Sequence, residues 1–272
     1  MIRKSTFLAG CLVLFPASHS DDSKVCPPGQ VMVEAPVRIG TFNVKFGEMA
    51  SPEEVAEFLE PYKLDIIGFS EVPAGDWTSR VGTALGLDHA FVGEISSANH
   101  KDKYKSILSR NPLNDMGETE LTSGTGWKPA SAVFGSTEIQ GVEVTFYELH
   151  IAASTGDTGQ AHELVESEFT SRDGGNIVVA GDFNNEIGDS SLSSFDDAGF
   201  ISVWAGAGIN PHRLSSVTGY SRIGVIDHIF VRSQESAKVT AAAVLDMPRP
   251  LSDHKPVVAE IQFRECQAIG RA

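Results

Sequence analysis

Short apolar runs bounded by turn-forming residues recur along the chain and predict a fold with many strands. The run at 177–180 lies between Asn176 and Gly181, which is typical of a short strand buried on both faces. Apolar and polar residues alternate over 142–150, as in a half-buried strand, and 127–134 is predicted to be its antiparallel neighbour. Further strands are predicted at 37–44, 64–70, 225–231 and 257–263.

Helical signals fall between several of these strands. Ser51 is expected as an N-cap, Pro52 occupies the first helical position, and Glu54 follows the cap by three residues to complete a capping box. Further helices are predicted at 76–85, 160–170 and 190–200. Strands and helices therefore share the chain, and an α/β fold is expected.

The length and composition favour a single domain. A chain of 272 residues, 41% of them hydrophobic, can bury one large core. No internal repeat and no low-complexity linker divides the sequence, so one domain is predicted over 36–266. An exposed lead-in is expected at 21–35, and the protein is expected to be a monomer.

The first 20 residues have the layout of a secretory signal peptide. A short basic stretch with Arg3 and Lys4 precedes the apolar run at 7–16 and then small and polar residues. The residues before Cys11 also resemble a bacterial lipoprotein cleavage box, which leaves lipid anchoring as an alternative. No later stretch approaches the roughly 20 apolar residues that a membrane-spanning helix needs. The expected location is therefore secreted or periplasmic.

Negative charge dominates the chain, which has 36 acidic and 21 basic residues and a net charge of −15. Removal of Arg3 and Lys4 with the signal peptide leaves 36 acids against 19 bases, or −17. Such a protein has no general attraction for polyanions or anionic membranes, so contact with them requires a local basic patch or a bound cation. The segment 100–103 is the best candidate for that patch, although it also fits a solvated loop.

Two cysteines follow the predicted signal peptide, Cys26 before the first strand and Cys266 after the last. An even number of cysteines in an exported chain favours a disulfide between the two ends. Two unpaired thiols near the termini are the alternative.

Polar residues suited to metal binding or catalysis stand at the predicted strand ends. Asp182 and Asn184 can face one site, because side chains in an extended segment repeat every second residue, although an ordinary polar turn is the alternative. Glu71 follows an apolar strand, where a carboxylate is costly to bury unless it meets a cation, and a solvated strand end is its alternative. Asn43, at its own strand end, is either a ligand or an edge cap.

The acids and amides among these residues suit a hard cation and the activation of water. Glu71, Asn43 and Asp253 offer oxygen ligands with no cysteine among them, which suits Mg²⁺, Mn²⁺ or Ca²⁺. Asp182 and Asn184 can deprotonate and orient a water molecule. Together these groups suit in-line attack on phosphorus.

Two histidines at strand ends complete this chemistry. From residue type alone, His150 and His254 are expected to titrate near neutral pH, and a carboxylate, Asp227 or Asp102, can fix the orientation of each imidazole. No Gly-x-Ser-x-Gly elbow is present, so the sequence does not favour a serine nucleophile.

Seven motifs occur in the order seen in the endonuclease/exonuclease/phosphatase superfamily, which the chain resembles over about residues 36–263. They are Thr41-Phe42-Asn43-Val44, Phe69-Ser70-Glu71-Val72, Ile107-Leu108-Ser109-Arg110, Glu148-Leu149-His150, Gly181-Asp182-Phe183-Asn184, Ile226-Asp227-His228-Ile229-Phe230 and Ser252-Asp253-His254-Lys255-Pro256. The resemblance implies a four-layer α/β sandwich, with two mainly antiparallel sheets face to face and helices outside. It also implies metal-dependent hydrolysis of phosphoesters.

The resemblance assigns roles position by position, and we add candidates of matching type. The expected catalytic residues are His150, His254, Asp182, Asn184, Asp227 and Asp102. The expected metal ligands are Glu71, Asn43 and Asp253. The expected contacts to the substrate phosphate are Asn184, Arg110 and Lys45.

Within the superfamily, the sequence is most similar to secreted deoxyribonucleases. The segment 42–48 carries this similarity. Abasic-site endonucleases are less similar, because they lack a histidine at the position of His150. One departure is Trp127, where those nucleases place an arginine ahead of the central proline. The expected function is an exported nonspecific DNA endonuclease that uses Mg²⁺. A phosphatase or a phospholipid (sphingomyelinase-like) phosphodiesterase is the alternative, and a catalytically silent secreted binding protein is a third hypothesis.

Overall fold

The computed structural model describes residues 26–153, 159–170, 174–218, 224–233 and 236–269. Strands in these ranges form two six-stranded sheets. The strands are β1 (Gln30–Asn43), β2 (Ile66–Val72), β3 (His89–Val92), β4 (Tyr104–Ser109), β5 (Asn114–Leu121), β6 (Ala130–Ile139), β7 (Val142–His150), β8 (Asn176–Asp182), β9 (Ile201–Ser202), β10 (Asp227–Ser233), β11 (Ser236–Val244) and β12 (Val257–Ala268).

Both sheets are mainly antiparallel, and each contains one parallel pair at its centre. The first sheet has the order β11-β12-β1-β2-β4-β3, with β1 parallel to β2. The second has the order β5-β6-β7-β8-β10-β9, with β7 parallel to β8. The predicted pair of mainly antiparallel sheets is therefore confirmed, as is the antiparallel pairing of β6 with β7.

The helices in the described ranges are short. They are α1 (Pro52–Leu59), α2 (Trp77–Leu85), α3 (Gln160–Leu164), α4 (Ser193–Asp197) and α5 (Val203–Gly206), with a π-helical turn at Val165–Phe169 directly after α3. Single 3₁₀ turns occur at Lys45–Gly47, Glu60–Tyr62, Ser97–Asn99, Ser190–Leu192 and Pro211–Arg213.

The capping box predicted for α1 is present. Ser51 Oγ accepts the Glu54 N–H at 3.3 Å, and the Glu54 carboxylate accepts the Ser51 N–H at 2.9 Å. Asp76 occupies the N-cap position of α2, but its side chain makes no capping hydrogen bond to the described residues. At its other end, α2 stops at Gly86, whose φ of 67° suits a glycine C-cap.

The four layers of the sandwich are the two sheets and the helices outside each of them. Apolar side chains fill the three spaces between these layers. Ile39 and Phe146 lie in the space between the two sheets. Phe195 of α4 covers the outer face of the second sheet. Val55 of α1 and Val81 of α2 cover the outer face of the first sheet.

Several strands differ from the sequence-based expectation, and β9 is a short one that no pattern predicted. β1 begins at Gln30, and its first half pairs with the end of β12, so the predicted lead-in includes a strand at 30–35 that is partly exposed. β5 is polar and β11 is rich in alanine, so neither has the apolar pattern that predicts a strand. Both lie at sheet edges, where a strand needs only one neighbour and less apolar surface.

The predicted disulfide between Cys26 and Cys266 is present, with Cα atoms 5.5 Å apart and a sequence separation of 240. It joins the two chain ends beside the paired halves of β1 and β12. The predicted signal peptide and Cys11 lie outside the described residues. Within the described ranges, no helix has the length and apolar character needed to cross a membrane.

Candidate active site

The carboxyl ends of the two parallel pairs meet at one rim of the sandwich. β1 and β2 carry Asn43 and Glu71 at their ends, while β7 and β8 carry His150 and Asp182. β10 runs antiparallel to β8 and starts at the same rim, so Asp227 stands opposite Asp182 in register. Pairing of the strands therefore brings together polar side chains that are far apart in sequence.

Asp182 is the residue that the other site residues share. Its Oδ2 accepts a hydrogen bond from Asn43 Nδ2 at 2.9 Å. The same oxygen lies 3.6 Å from His150 Nε2 and 3.7 Å from His254 Nε2. Its Oδ1 accepts the Asn184 N–H at 2.9 Å. One buried carboxylate thus lies between two imidazoles.

Glu71 faces this rim because a β-bulge turns its side chain. β2 pairs regularly with β4 up to Ser70 and resumes at Val72, and Glu71 between them has a φ of 53°. A bulge redirects a side chain that regular alternation would place on the other face. The left-handed φ costs about 1 to 2 kcal/mol in a residue other than glycine. The carboxylate lies 3.7 Å from His150 Nε2 and 3.2 Å from Lys103 Nζ.

Gly181 lets β8 approach β7 closely just before Asp182. A Cβ atom at Gly181 would lie 2.1 Å from the Leu149 carbonyl oxygen, and its φ is 139°. Asn184 then adopts a φ of 51° and donates from Nδ2 to the Ile151 carbonyl at 2.9 Å. These contacts hold the turn after β8 against the end of β7, with Asp182 beside both histidines and the Asn184 side chain bound to Ile151.

Asp227 contacts the second histidine as predicted. His254 Nδ1 lies 2.9 Å from Asp227 Oδ2 and 3.1 Å from Oδ1, and Asp227 is fully buried. Burial alone lowers the pKa of His254, but the Asp227 and Asp182 carboxylates outweigh it and raise this pKa to about 10. The imidazole of His254 is therefore a cation at neutral pH.

The surroundings of His150 shift its pKa in the opposite direction from that of His254. Burial, followed by the charges of Lys105, Lys103 and His254, lowers the pKa of His150 well below its ordinary range, so this imidazole is neutral at pH 7. Its ring packs edge-to-face against Trp127, with centroids 4.9 Å apart. Its Nδ1 is buried and has no hydrogen-bond partner in the part of the chain that the structure describes.

Asp102 does not orient His150, so the predicted contact is wrong in this structure. The Asp102 carboxylate lies 4.0 Å from Lys101 Nζ, and its backbone N–H donates to His100 Nδ1 at 3.2 Å. The turn 100–103 closes on itself through these contacts. Among the described residues, Asp102 therefore interacts only within its own turn. It does not supply the missing hydrogen-bond partner of His150 Nδ1.

Arg110 lies away from the rim, and its predicted phosphate contact is also wrong. β4 runs antiparallel to β2, so the end of β4 pairs with Ile66 at the start of β2 rather than with the Glu71 end. Arg110 Nη2 donates to the Leu64 carbonyl at 2.8 Å, and its Nε lies 3.6 Å from Asp65 Oδ1. Because β4 is antiparallel to β2, its carboxyl end lies at the end of the sandwich opposite the rim.

Lys45 and Asp253, predicted as a phosphate contact and a metal ligand, pair with each other. Lys45 Nζ lies 3.3 Å from Asp253 Oδ2, and the side chains are 35% and 30% exposed. The Lys45 N–H also donates to Asn43 Oδ1 at 3.0 Å. Both residues therefore border the rim, and their roles stay predictions.

Two buried ionisable residues were missed as site residues. Glu148 lies between the sheets, Thr41 Oγ1 donates to its Oε1 at 2.9 Å, and burial raises the pKa of Glu148 well above its ordinary range. Lys105 Nζ lies 3.8 Å from Glu118 Oε1 and donates to the Ile95 carbonyl at 2.6 Å, and burial lowers its pKa to about 8. The available signal was a charged residue at an inward-facing position of an otherwise apolar strand.

The donor set fits a hard divalent cation. Asp182, Asp227 and His254 are the only acid, histidine or cysteine side chains in the described ranges that form a group of three with ligand atoms within 4.8 Å of one another. Glu71 adds a carboxylate beside His150. Cys26 is in the disulfide, so no described thiolate competes with these oxygen and nitrogen donors. This cluster differs from the predicted ligands, of which Asn43 hydrogen-bonds to Asp182.

A four-layer sandwich with acids, an amide and two histidines at one rim is the arrangement that the motif resemblance predicted for a phosphoesterase. The sequence matches the Endonuclease/Exonuclease/phosphatase family over residues 40–254, and the chain belongs to this family. A sequence comparison with curated proteins finds no match.

Several solved structures share the fold at low sequence identity. The mannosyl-6-phosphatase Bt3783 of Bacteroides thetaiotaomicron is 20% identical with a TM-score of 0.64, covering 84% of this chain and 100% of that one. The human Nocturnin catalytic domain with bound sulfate is 18% identical with a TM-score of 0.65, covering 88% and 99%. TDP2 of D. rerio, complexed with a single-strand DNA product, is 14% identical with a TM-score of 0.61, covering 83% and 98%.

Proposed function

We propose that the protein is an exported, divalent-metal-dependent phosphoesterase that hydrolyses phosphodiester bonds, most similar to a nonspecific DNA endonuclease. The observation that carries the proposal is the position of Asp182 Oδ2, within 3.7 Å of the Nε2 atoms of both His150 and His254. A carboxylate between a neutral and a cationic imidazole suits proton transfer from water together with stabilisation of an anionic phosphoryl group. The Cys26–Cys266 disulfide supports export.

Asp182 and Asn184 would prepare the attacking water. Burial raises the pKa of Asp182 to about 7, which is near the pH at which a general base is most effective. Asn184 would orient the water or a phosphoryl oxygen, since its backbone is held by Asp182 and its side chain by Ile151. His254, kept cationic by Asp227, would donate from Nε2 to a phosphoryl oxygen.

A divalent cation bound at this rim would neutralise charge on the phosphoryl group. Glu71 with Asn43 remains the proposed ligand pair, because the bulge at Glu71 turns its carboxylate toward the histidines. Asp182 and Asp227 offer further carboxylate oxygens next to this pair, whereas His254 as a cation contacts the phosphoryl group and not the metal. Mg²⁺ is the proposed ion, since every carboxylate here is a hard ligand.

Metal affinity is expected to fall as the pH decreases below about 7. Burial raises the pKa of Asp182 to about 7, so below that pH its carboxylate is protonated and a cation must displace the proton. The Mg²⁺ dissociation constant should increase by up to about tenfold per pH unit for one displaced proton. Calorimetric titrations at several pH values measure this constant. An affinity that is flat between pH 5 and 8 would contradict a role for Asp182 at the metal site.

The surface beside Glu71 supports an anionic, ring-containing substrate. The Phe46 ring stacks on His100 with centroids 4.7 Å apart, and Lys103 Nζ lies 5.4 Å from the Phe46 centroid. Lys103 also pairs with Glu71, and Lys101 is 88% exposed. The predicted basic patch at 100–103 therefore borders Glu71, and its lysines together with the aromatic pair support contact with a nucleic-acid substrate.

Incubation of the purified protein with supercoiled plasmid DNA and Mg²⁺ tests the nuclease proposal. We expect conversion to open circles and then to fragments, and a chelator should stop the reaction because the site lacks its cation. The Arg110→Ala variant is a matched control, since this arginine lies away from the rim and should leave the rate unchanged. Plasmid that stays supercoiled with every metal and pH would refute the nuclease proposal.

A phosphatase or a phospholipid phosphodiesterase is the second candidate. Trp127 stands where the secreted deoxyribonucleases place an arginine, and it packs against His150 instead of offering a charge to DNA. The net charge of −15 also disfavours a polyanion. A panel of small phosphomonoesters, phosphodiesters and choline lipids separates the candidates, because turnover of a small ester without plasmid cleavage would favour this second function.

A further inference from the structure

Three buried polar atoms close to the candidate site have no hydrogen-bond partner among the described residues. They are Ser70 Oγ, Glu148 Oε2 and His150 Nδ1. Each of these residues is at most 2% exposed. Buried polar atoms in folded proteins are nearly always satisfied by protein or by an ordered water molecule, so a group of three requires a common explanation.

Strand register places Ser70 and His150 on facing walls of the gap between the sheets. Ser70 is the in-register neighbour of Asn43 in the first sheet, and His150 is the in-register neighbour of Asp182 in the second. Asn43 and Asp182 already touch across the gap at 2.9 Å. Neighbouring strands lie only about 4.8 Å apart, so Ser70 and His150 form the adjacent facing pair.

Gly68 and Glu148 confirm this alignment two residues further into the sandwich. A Cβ atom on Gly68 would lie 2.7 Å from Glu148 Cβ and 2.0 Å from its Oε2, so the Glu148 side chain lies directly over Gly68. β2 and β7 both run toward the same rim, and side chains two residues apart share a face. Ser70 therefore follows Gly68 as His150 follows Glu148, and the three unsatisfied atoms belong to one short stretch of facing strands.

The groups around Nε2 of His150 determine whether the other ring nitrogen, Nδ1, accepts or donates a hydrogen bond. Carboxyl oxygens of Glu71 and Asp182 lie 3.7 Å and 3.6 Å from Nε2, and these acceptor atoms favour a proton on that nitrogen. A neutral imidazole with its proton on Nε2 accepts at Nδ1. The partner of Nδ1 must therefore be a donor.

We propose that one buried water molecule, held by Ser70 Oγ and Glu148 Oε2, donates a hydrogen bond to His150 Nδ1 and keeps the proton of this imidazole on Nε2. A water molecule with three polar partners satisfies all three atoms at once. Ser70 and Glu148 are thus positioning residues, and they act through His150 without touching the substrate. The consequence for turnover rests on the proposed phosphoesterase function, whereas the tautomer does not.

Nitrogen-15 NMR of protein labelled at histidine tests the tautomer without any substrate. The His150 signals are assigned by their loss in His150→Gln. We expect a protonated Nε2 and an unprotonated Nδ1 at the upfield-shifted position of a nitrogen that accepts a hydrogen bond. In Ser70→Ala the Nδ1 signal should move downfield or the two tautomers should mix. A proton on Nδ1 in the unmodified protein would overturn the proposal even if no variant folds.

Kinetics on the best phosphoester substrate supply the second measurement. Ser70→Ala should lower kcat about tenfold with KM unchanged, as loss of a residue that orients a catalytic histidine does. Ser191→Ala is the matched control, because Ser191 is also buried with an unsatisfied hydroxyl but lies beside α4, and this variant should match the parent. Unchanged His150 signals and kcat in a folded Ser70→Ala variant would refute the proposal. Absence of any turnover would refute only the proposed function.

Discussion

Replacing Asp182 by asparagine is expected to reduce phosphoester hydrolysis by roughly 1,000-fold, with kcat affected more than KM. The change keeps the size of the side chain and one acceptor oxygen, so only one of the two donors Asn43 Nδ2 and Asn184 N–H keeps its partner. It also removes the negative charge between His150 and His254. Loss of a general base costs about 100- to 10,000-fold, and loss of charge complementarity at the reacting group adds to it. Steady-state rates on the best substrate at saturating Mg²⁺ measure the effect.

The fold should survive this substitution. Burial raises the pKa of Asp182, which means that ionisation of this group is disfavoured in the folded state. The neutral amide avoids this cost but loses one of the two hydrogen bonds that Asp182 accepts, so the melting temperature is expected to change by only a few degrees. Asp197→Asn is the matched control, because it makes the same change at an exposed position on α4 and should leave both rate and stability unchanged. An Asp182→Asn variant that retains more than a tenth of parental activity would remove Asp182 from the mechanism.

Loss of the disulfide is expected to have the largest effect on stability. The Cys26→Ser/Cys266→Ser variant releases a constraint between residues separated by 240 positions. The chain-entropy estimate for so long a loop is about 5 kcal/mol of unfolding free energy. For a domain of this size that corresponds to a decrease in the melting temperature of about 10 to 20 °C. Thermal unfolding followed by circular dichroism measures it.

Activity below the melting temperature should not change in the same variant. The disulfide lies where Cys266 pairs in register with Met32, at the opposite end of β1 from Asn43. At 3.3 Å per residue the two positions are roughly 35 Å apart along the strand. Treatment of the parent protein with a reductant should reproduce the variant. Equal melting temperatures for the oxidised parent, the reduced parent and the variant would show that the disulfide does not stabilise the fold.

Several parts of the site were predictable because their signals are local. Asp182 and Asn184 follow a short apolar run, and their spacing alone places them on one side of an extended segment. The capping box of α1 was likewise predictable, since Ser51 and Glu54 interact within one turn.

Other parts depended on contacts between distant strands. Arg110 belongs to one of the motifs that carry the resemblance, yet antiparallel pairing of β4 with β2 places it at the end of the sandwich away from the candidate site. Asp102 has the right chemical type but lies in a turn that closes on itself. Glu71 reaches the rim only through a bulge, because regular alternation would have pointed it elsewhere.

The amino-acid sequence by itself determined which strands are apolar, which polar residues stand at their ends, and which family the motifs resemble. Only the tertiary structure decided that Asp182 lies between His150 and His254, and that Ser70 and Glu148 line the gap between the sheets next to His150. The reason is that strand signals depend on neighbours within a few residues, whereas the position of a side chain across the sandwich depends on register, bulges and strand direction set by the whole fold.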